Sequence, residues 1–300
     1  KSEKFNKKSI KEITPDDLDK LTERDFIDFL DYISTHQRTY LSSAKKIVTQ
    51  EFTNSEIGKS RKLAALHKLF SYLFKQGIIK KDITQNIEIK VHKKAKIKQR
   101  LTPEEIQRLF QTIIEDVNIE NRHQRSYHEK LKFRDYIIVL LLAYTGIRIS
   151  ELVQLDIPDI QLHKKMLIVI RKGGNQQAIT IPNRIIDDIA NYLEYRKQIK
   201  DVPPKDQNAL FLSLQKRRIN ARTVRNMLEK YRVRSGIEIK ITPHVFRRTF
   251  GTIHYNTYED MYLTAQTLGH ASAETTRKFY AEPDQERVVK AMEQFDYAMP

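Results

Sequence analysis

RDYIIVLLLAYTG, from Arg134 to Gly146, is the stretch on which the reading of the whole chain turns. Its apolar run, Tyr136 to Tyr144, has nine residues, against the roughly 20 that a membrane-spanning helix needs. Gly146 then breaks the pattern, and the next six residues, Ile147-Arg148-Ile149-Ser150-Glu151-Leu152, mix charge with apolar side chains. The stretch is therefore expected to be a helix inside the core of a globular domain. Its end at Gly146 brings out Arg148, and Glu151 three residues later can bond that guanidinium.

Working outward, the runs MLIVI (Met166–Ile170) and AITIP flank RKGGNQQ. That pattern predicts a β-hairpin over a glycine-containing turn, with Lys172 at the turn. Helical patterns follow in IIDDIANYLEYRKQI and TVRNMLEKYRVRSG. Upstream, Thr102-Pro103-Glu104-Glu105 opens a helix with a cap, a proline and acids in its first turn. Glu115 to Lys132 is polar and aperiodic, which reads as a loop or a partly helical insertion. The fold class expected is mainly α, with a small antiparallel β-sheet in the second of two domains.

The first third of the chain also reads as helical. Thr14-Pro15-Asp16-Asp17 is a capped helix start. Thr22 and Asp25 precede Phe26, Phe29, Leu30 and Ile33, spaced three and four apart. Leu63, Leu66, Leu69, Phe70, Leu73 and Phe74 are expected on one stripe of a helix that stops at Gly77. These patterns predict a small helical bundle over 1–89. Arg61 and Lys62 lie outside the apolar stripe and are candidates for contact with a polyanion. Residues 90–100, KVHKKAKIKQR, carry six cations and no acid. Such a run repels itself and packs no core, so it reads as an extended linker. Lys93, Lys94 and Lys96 within it are candidates to follow a phosphate backbone. The second domain is then expected over 101–300.

Charge sharpens this picture. The chain has 300 residues, with 54 Lys+Arg against 38 Asp+Glu, a formal net charge of +16. Of that net charge, +10 falls in the first 100 residues. A protein this basic usually meets a polyanion, and nucleic acid is the first candidate. There is no cysteine, which excludes disulfide scaffolds, Cys-based zinc sites, iron–sulfur clusters and thiol nucleophiles. The segment KSEKFNKKSI lacks the apolar core of a signal peptide, and the chain reads as cytoplasmic, without a membrane partner.

No nucleotide or metal motif is present: no Walker loop, no GxGxxG, and no HExxH among nine histidines. What stands out is cations set beside sharp backbone features. Arg148 follows Gly146; Lys172 sits at the hairpin turn; His244 and Arg247 share a helical face at i, i+3; and Leu268-Gly269-His270 precedes Tyr280 by ten positions.

The segments TGIRISEL, RKGGN, HVFR, LGH and TTRKFY occur in that order from Thr145 to Tyr280. Together they resemble the signature of the tyrosine recombinases, or phage integrases, which include the Xer proteins. HxxR or LGH alone arises by chance in many chains, but five segments in order form a specific pattern. The resemblance covers nearly the whole chain, since that family also joins an N-terminal helical DNA-clamping (core-binding) domain through a linker to a catalytic domain.

The resemblance implies a DNA strand transferase that needs no cofactor, metal or ATP. A tyrosine oxygen attacks a DNA phosphate, forming a 3′-phosphotyrosyl link and releasing a 5′-hydroxyl. Arg148 and Arg247 match the guanidiniums that hold the non-bridging oxygens, a task for which a planar, permanently charged fork is suited. They supply the positive charge that Mg²⁺ provides in other phosphoryl transferases. Lys172 matches the general acid. His244 and His270 match residues that bond the phosphate or take the tyrosine proton, and Glu151 matches an acid that orients the catalytic Arg or His.

Members of the family place the tyrosine either nine or ten residues after the LGH histidine. Position nine here is Phe279 and position ten is Tyr280. The nucleophile is therefore assigned to Tyr280; were the shorter spacing to apply, the chain would bind DNA without cutting it. Arg248 also departs from the family, where a histidine often follows the HxxR arginine. The region from Lys216 to Arg234 carries eight cations and one acid. Arg218, Arg222 and Arg225 are at helical spacing, and in the resembled family this region enters the major groove, which makes them candidates for base contacts.

Expected partners are double-stranded DNA with an inverted-repeat recombination site, and further copies of the chain, as a dimer on one site and a tetramer in synapsis. Accessory DNA-bending factors are a further class of partner. A C-terminal helix over 286–299, with Val289, Met292 and Phe295 on one side, either docks on a neighbouring protomer or folds back. Two other functions share these residues: a type IB topoisomerase, and a catalytically silent sequence-specific DNA-binding protein. Element integration, excision and resolution are all compatible with the motifs.

Overall fold

In the computed structural model the described residues are 9–41, 46–88, 99–115, 119, 121–171 and 174–269. The chain divides into two compact units, Lys1–Lys96 and Ile97–Pro300.

The first unit contains helices α1 (Pro15–Asp19), α2 (Glu23–Ser34) and α3 (Glu56–Lys75), with strands β1 (Thr35–Leu41) and β2 (Ile47–Thr53) between them. Helix α2 starts at a reciprocal cap: the Thr22 backbone N–H donates to Asp25, and the Asp25 N–H donates to the Thr22 hydroxyl. Phe26, Leu30 and Ile33 of α2 face Leu63 and Phe70 of α3 in the core. Phe26 and Phe70 meet edge to face, with ring centroids 5.1 Å apart.

Two expectations are corrected in this unit. It is not purely helical, because β1 and β2 pair antiparallel from Thr35↔Thr53 to Leu41↔Ile47. The apolar stripe of α3 is also narrower than its sequence suggests. Leu69 is 49% exposed and Phe74 44%, while Leu63, Leu66, Phe70 and Leu73 make the core contacts. Only residues that return to one helical face at i, i+3 and i+7 reach that core.

The second unit contains α4 (Pro103–Ile114), α5 (Arg122–Thr145), α6 (Ile149–Leu152), α7 (Ile186–Lys197), α8 (Ala221–Ser235), α9 (Pro243–Tyr258) and α10 (Met261–Leu268). Its sheet, ordered β3-β4-β5, is antiparallel and built from β3 (Ile160–Gln161), β4 (Met166–Ile170) and β5 (Gln176–Thr180). The fold is mainly α, and the predicted hairpin is β4–β5.

Helix α5 is the central element. Ile137 to Leu142 are buried without interruption, and α4, α7 and α9 pack around them. A helix apolar on every side has to be enclosed on every side. Of the two readings of residues 115–132, its polar N-terminal half bears out the partly helical one: from Arg122 onward this is helix, capped by Asn121, whose side chain accepts from the Gln124 N–H at 2.8 Å. His128 is buried there, with Nε2 3.1 Å from the Ile113 carbonyl oxygen. Two turns further, Asp135 is fully buried and held by Arg134, Tyr231 and Lys230. That ionic cluster joins α5 to α8 beside the apolar core.

Candidate active site

The site begins where α5 stops. Gly146 takes a left-handed conformation, φ +58°, which a side chain disfavours. A Cβ there would also lie 2.6 Å from the Phe250 ring. The turn allows Arg148 to cap the next helix: its backbone N–H donates to Glu151 Oε2 at 3.0 Å, and its Nη1 donates to Glu151 Oε1 at 2.9 Å. Helix α9 supplies Arg247, five residues after its Thr242 cap. Helix α10 ends at Gly269, φ +62°, a turn that carries the Leu268 and Gly269 carbonyls.

These three pieces converge. Arg148 Nη2 donates to the Gly269 carbonyl at 3.0 Å. Arg247 Nη2 donates to the Leu268 carbonyl at 2.5 Å, and its Nη1 to the Gly146 carbonyl at 2.7 Å. The guanidiniums expected to hold a phosphate are thus brought to one turn, immediately before His270. Arg247 is buried, while the Arg148 side chain is 34% exposed. Arg148 therefore keeps a face toward solvent, where its remaining N–H donors can meet an anion.

His244 lies one helical turn before Arg247 and is exposed. Partial desolvation holds its imidazole below the ordinary histidine range, reinforced by the guanidiniums of Arg247, Arg248, Arg225 and Arg148. The imidazole is therefore neutral near pH 7, and the same cations oppose its protonation. Arg248 donates to the Gln99 carbonyl at 3.0 Å, which ties α9 to the segment entering α4.

A residue absent from the sequence reading joins this group. Arg171, at the end of the hairpin's first arm, donates through Nη1 to Glu151 Oε1 at 2.6 Å. Glu151, with 4% of its side chain exposed, thus sits between two guanidiniums. The only trace of this in the sequence is a second cation beside Lys172. Lys172, His270, Tyr280, Phe279, the linker cations Lys93, Lys94 and Lys96, and the 286–299 segment lie outside the described residues.

The cationic helix is α8, and here one placement is corrected. Arg222 and Arg225 are exposed on it, but Arg218 is not on the helix at all. Its Nη1 donates to the carbonyls of Gln154 and Leu155 at 3.0 and 3.1 Å, and its Nη2 pairs with Asp156. Arg218 braces the loop after α6, where its guanidinium is occupied by protein acceptors. In the first unit, Arg61 is exposed and Lys62 donates to Asn54 Oδ1 at 2.8 Å. Among the described residues no group of three or more His, Asp or Glu side chains is placed to hold a metal ion, and no helix is long and apolar enough to cross a membrane.

Comparison with known proteins decides what this arrangement belongs to. Residues 99–287 match the model of the phage integrase family. The chain belongs to that family. It is 31% identical over 285 residues to tyrosine recombinase XerS of Streptococcus agalactiae serotype III (strain NEM316), covering 89% of this chain and 78% of that protein. Tyrosine recombinase XerS of Streptococcus thermophilus (strain CNRZ 1066) is 31% identical over 278 residues, covering 86% and 75%. The fold resembles the crystal structure of XerH recombinase in a post-cleavage complex with its palindromic difH substrate, at TM-score 0.69 and 22% identity, covering 93% of this chain and 72% of that one.

The protein is thus a tyrosine recombinase, a DNA strand transferase of the site-specific class. In this recombinase the arginines of the TGxRxSEL and HxxR segments both donate to carbonyls of the α10 turn, at Gly269 and Leu268.

Proposed function

We propose that this recombinase cuts and rejoins duplex DNA through a 3′-phosphotyrosyl intermediate formed on Tyr280. The Tyr280 oxygen bonds to phosphorus as the bond from phosphorus to the 5′-oxygen breaks. The phenol proton passes to a neutral histidine, His244 or His270, and Lys172 protonates the departing 5′-oxygen. Attack by a 5′-hydroxyl on the same phosphorus reverses these steps, so the bond energy is retained without ATP. Arg148 and Arg247 bind the non-bridging oxygens, whose negative charge is greatest in the transition state. The observation that carries this reading is the convergence of both guanidiniums on the Leu268–Gly269 turn.

The remaining cations have different duties in this reading. Arg222 and Arg225 on α8 read bases, while Arg61, Lys62 and the linker lysines Lys93, Lys94 and Lys96 hold backbone phosphates. The domain division is 1–89 for DNA clamping, 90–100 for the linker and 101–300 for catalysis. The chain works in the cytoplasm as a dimer on each inverted-repeat site and a tetramer in synapsis. The stripe Val289, Met292 and Phe295 docks on a second copy, in the apolar groove formed by Ile106, Phe110, Tyr144, Phe250 and Ile253. Site-specific cleavage is favoured over supercoil relaxation by the family membership, and a plasmid relaxation assay separates the two.

The test is a nicked duplex carrying the site found by footprinting the DNA that flanks the gene. Cleavage of that duplex lets the short 5′-hydroxyl strand diffuse away and traps a covalent protein–DNA adduct. Wild-type protein is expected to form it and Tyr280→Phe is not. An adduct that persists in Tyr280→Phe removes the nucleophile assignment. Tight binding with no adduct in the wild type favours the silent DNA-binding protein.

A further inference from the structure

Arg171 has no assigned part in the reaction, yet it is wired into the phosphate clamp. It leaves β4 beside the turn that carries Lys172, and only 11% of its side chain is exposed. Its Nη1 shares Glu151 Oε1 with Arg148 Nη1, at 2.6 and 2.9 Å. Its Nε donates to Gln177 Oε1 on β5 at 2.8 Å, and the Gln177 amide donates in turn to the Gln266 carbonyl of α10 at 3.0 Å. The guanidinium also lies against the α10 cap: a Cβ on Gly269 would stand 2.6 Å from Arg171 Cζ and Nη2. The Gly269 carbonyl is the acceptor of Arg148 Nη2. Arg171, Glu151, Arg148 and Gly269 therefore close a ring, and Arg148 is held on both its terminal nitrogens by groups that Arg171 touches.

We infer that Arg171 is a positioning residue for Arg148: by fixing the Glu151 carboxylate and the Gly269 turn, it sets the guanidinium that meets the scissile phosphate. The inference rests on the cleavage reading given above. Its physical basis is the geometry of a shared carboxylate oxygen. With Arg171 removed, Glu151 Oε1 has a single cationic partner and the Gly269 turn loses the side chain packed on it. Both anchors of Arg148 then gain freedom, and a clamp works only when its donors are already aimed at the developing charge. Arg171 Nη2 is buried without a hydrogen-bond partner among the described residues, a cost the pairing with Glu151 has to offset. The hairpin also gains a duty beyond presenting Lys172: it is docked through Arg171 on the clamp itself.

The experiment measures adduct formation by the full chain on the nicked duplex with two scissile linkages, an ordinary phosphodiester and a methylphosphonate. Replacing one charged oxygen by methyl removes the negative charge that Arg148 balances, so a defect in the clamp matters less on that substrate. Arg171→Ala is expected to slow adduct formation on phosphodiester by about 100-fold with DNA affinity within about threefold of wild type. On methylphosphonate the loss is expected to shrink to under about tenfold, in parallel with Arg148→Ala. Arg171→Lys keeps the charge and the buried stem; it recovers part of the rate and reports the same pattern if Arg171→Ala does not fold. Equal losses on both linkages, or a wild-type rate in Arg171→Ala, overturn the inference. Rescue only by a 5′-bridging sulfur, whose thiolate leaves without a proton, overturns it too, since Arg171 would then act through Lys172. Absence of any wild-type adduct defeats the cleavage reading and this inference with it.

Discussion

The Arg247 guanidinium donates to the Gly146 carbonyl at 2.7 Å, although the two residues are 101 positions apart in the chain. The contact joins α9 to the end of α5, and it makes a residue proposed to hold phosphate also a fastener of the fold. Arg247→Lys keeps the charge but a single ammonium cannot reach both the Gly146 and Leu268 carbonyls in this geometry. Adduct formation is expected to fall by about 10²–10³. Stability is expected to drop by about 2 kcal/mol, as for a buried acceptor left without its donor. Single-turnover cleavage and urea denaturation measure the two effects separately.

Gly146→Ala tests the turn itself. Left-handed backbone costs a side chain about 1 kcal/mol, and the added Cβ would stand 2.6 Å from the Phe250 ring and 3.0 Å from Leu268. Overpacking of that kind costs about 1–3 kcal/mol more. Thermal unfolding of the variant is expected to show a total loss of about 2–4 kcal/mol. A loss below about 1 kcal/mol contradicts the strain argument.

His244 makes a pH prediction. Partial desolvation, and then Arg247, Arg248, Arg225 and Arg148, hold its folded-state pKa below the unfolded value. The unfolded chain therefore takes up the proton first as pH falls. The stability tied to this group is complete above about pH 6.5 and declines as pH drops toward the lowered folded value. An imidazole NMR titration is expected to place His244 below the ordinary histidine range, and Arg225→Ala to move it upward. A midpoint at or above the ordinary value contradicts the assignment of these neighbours.

The α5–α8 cluster predicts a stability loss unrelated to DNA. Asp135 is fully buried and accepts from Arg134 at 2.5 Å and from the Tyr231 hydroxyl at 2.9 Å. Burial and the nearby carboxylate push the Tyr231 phenol well above its usual range, so it acts as a donor at every working pH. Asp135→Asn strands the buried Arg134 charge and is expected to cost about 3–5 kcal/mol. Tyr231→Phe removes one donor and is expected to cost about 1–3 kcal/mol. Chemical denaturation checks both.

DNA binding should separate the exposed cations by what they touch. Arg222→Ala or Arg225→Ala is expected to cost about 1–3 kcal/mol on the cognate site and to relax the base preference at one position. Arg61→Ala is expected to weaken all sequences alike and to lower the salt dependence by about one counterion. Equilibrium binding at several salt concentrations, on cognate and scrambled duplexes, distinguishes the two patterns.

The central helix and the hairpin were legible because each carries the periodicity of its own burial. Ile137 to Leu142 are enclosed by neighbours all round, and Leu167, Val169 and Ile179 alternate inward on β4 and β5. The β1–β2 pair was not, since its outward residues include Leu41 and Ile47 at 70% and 77% exposure and no alternation survives. Arg122 to Lys132 hid because a helix held by a cap and a buried histidine has no apolar stripe to count. Arg218 was misplaced by spacing alone. The correct start of α8 was written in Asn220, whose side chain accepts from the Thr223 N–H at 2.9 Å as an N-cap. Arg171 could not be found at all, since its partner Glu151 lies 20 positions away and pairs with it only through the fold.

The order in which these contacts become available has a consequence for synthesis. Arg148 and Arg247 both depend on carbonyls at Leu268 and Gly269. A growing chain that has emerged only through α9 already displays most of its basic surface, but neither arginine has its final anchor. Such a chain can adhere to DNA before it can aim a clamp at a phosphate. On the proposed assignment, competence to break a strand is therefore acquired late, after the polypeptide has passed both Gly269 and Tyr280.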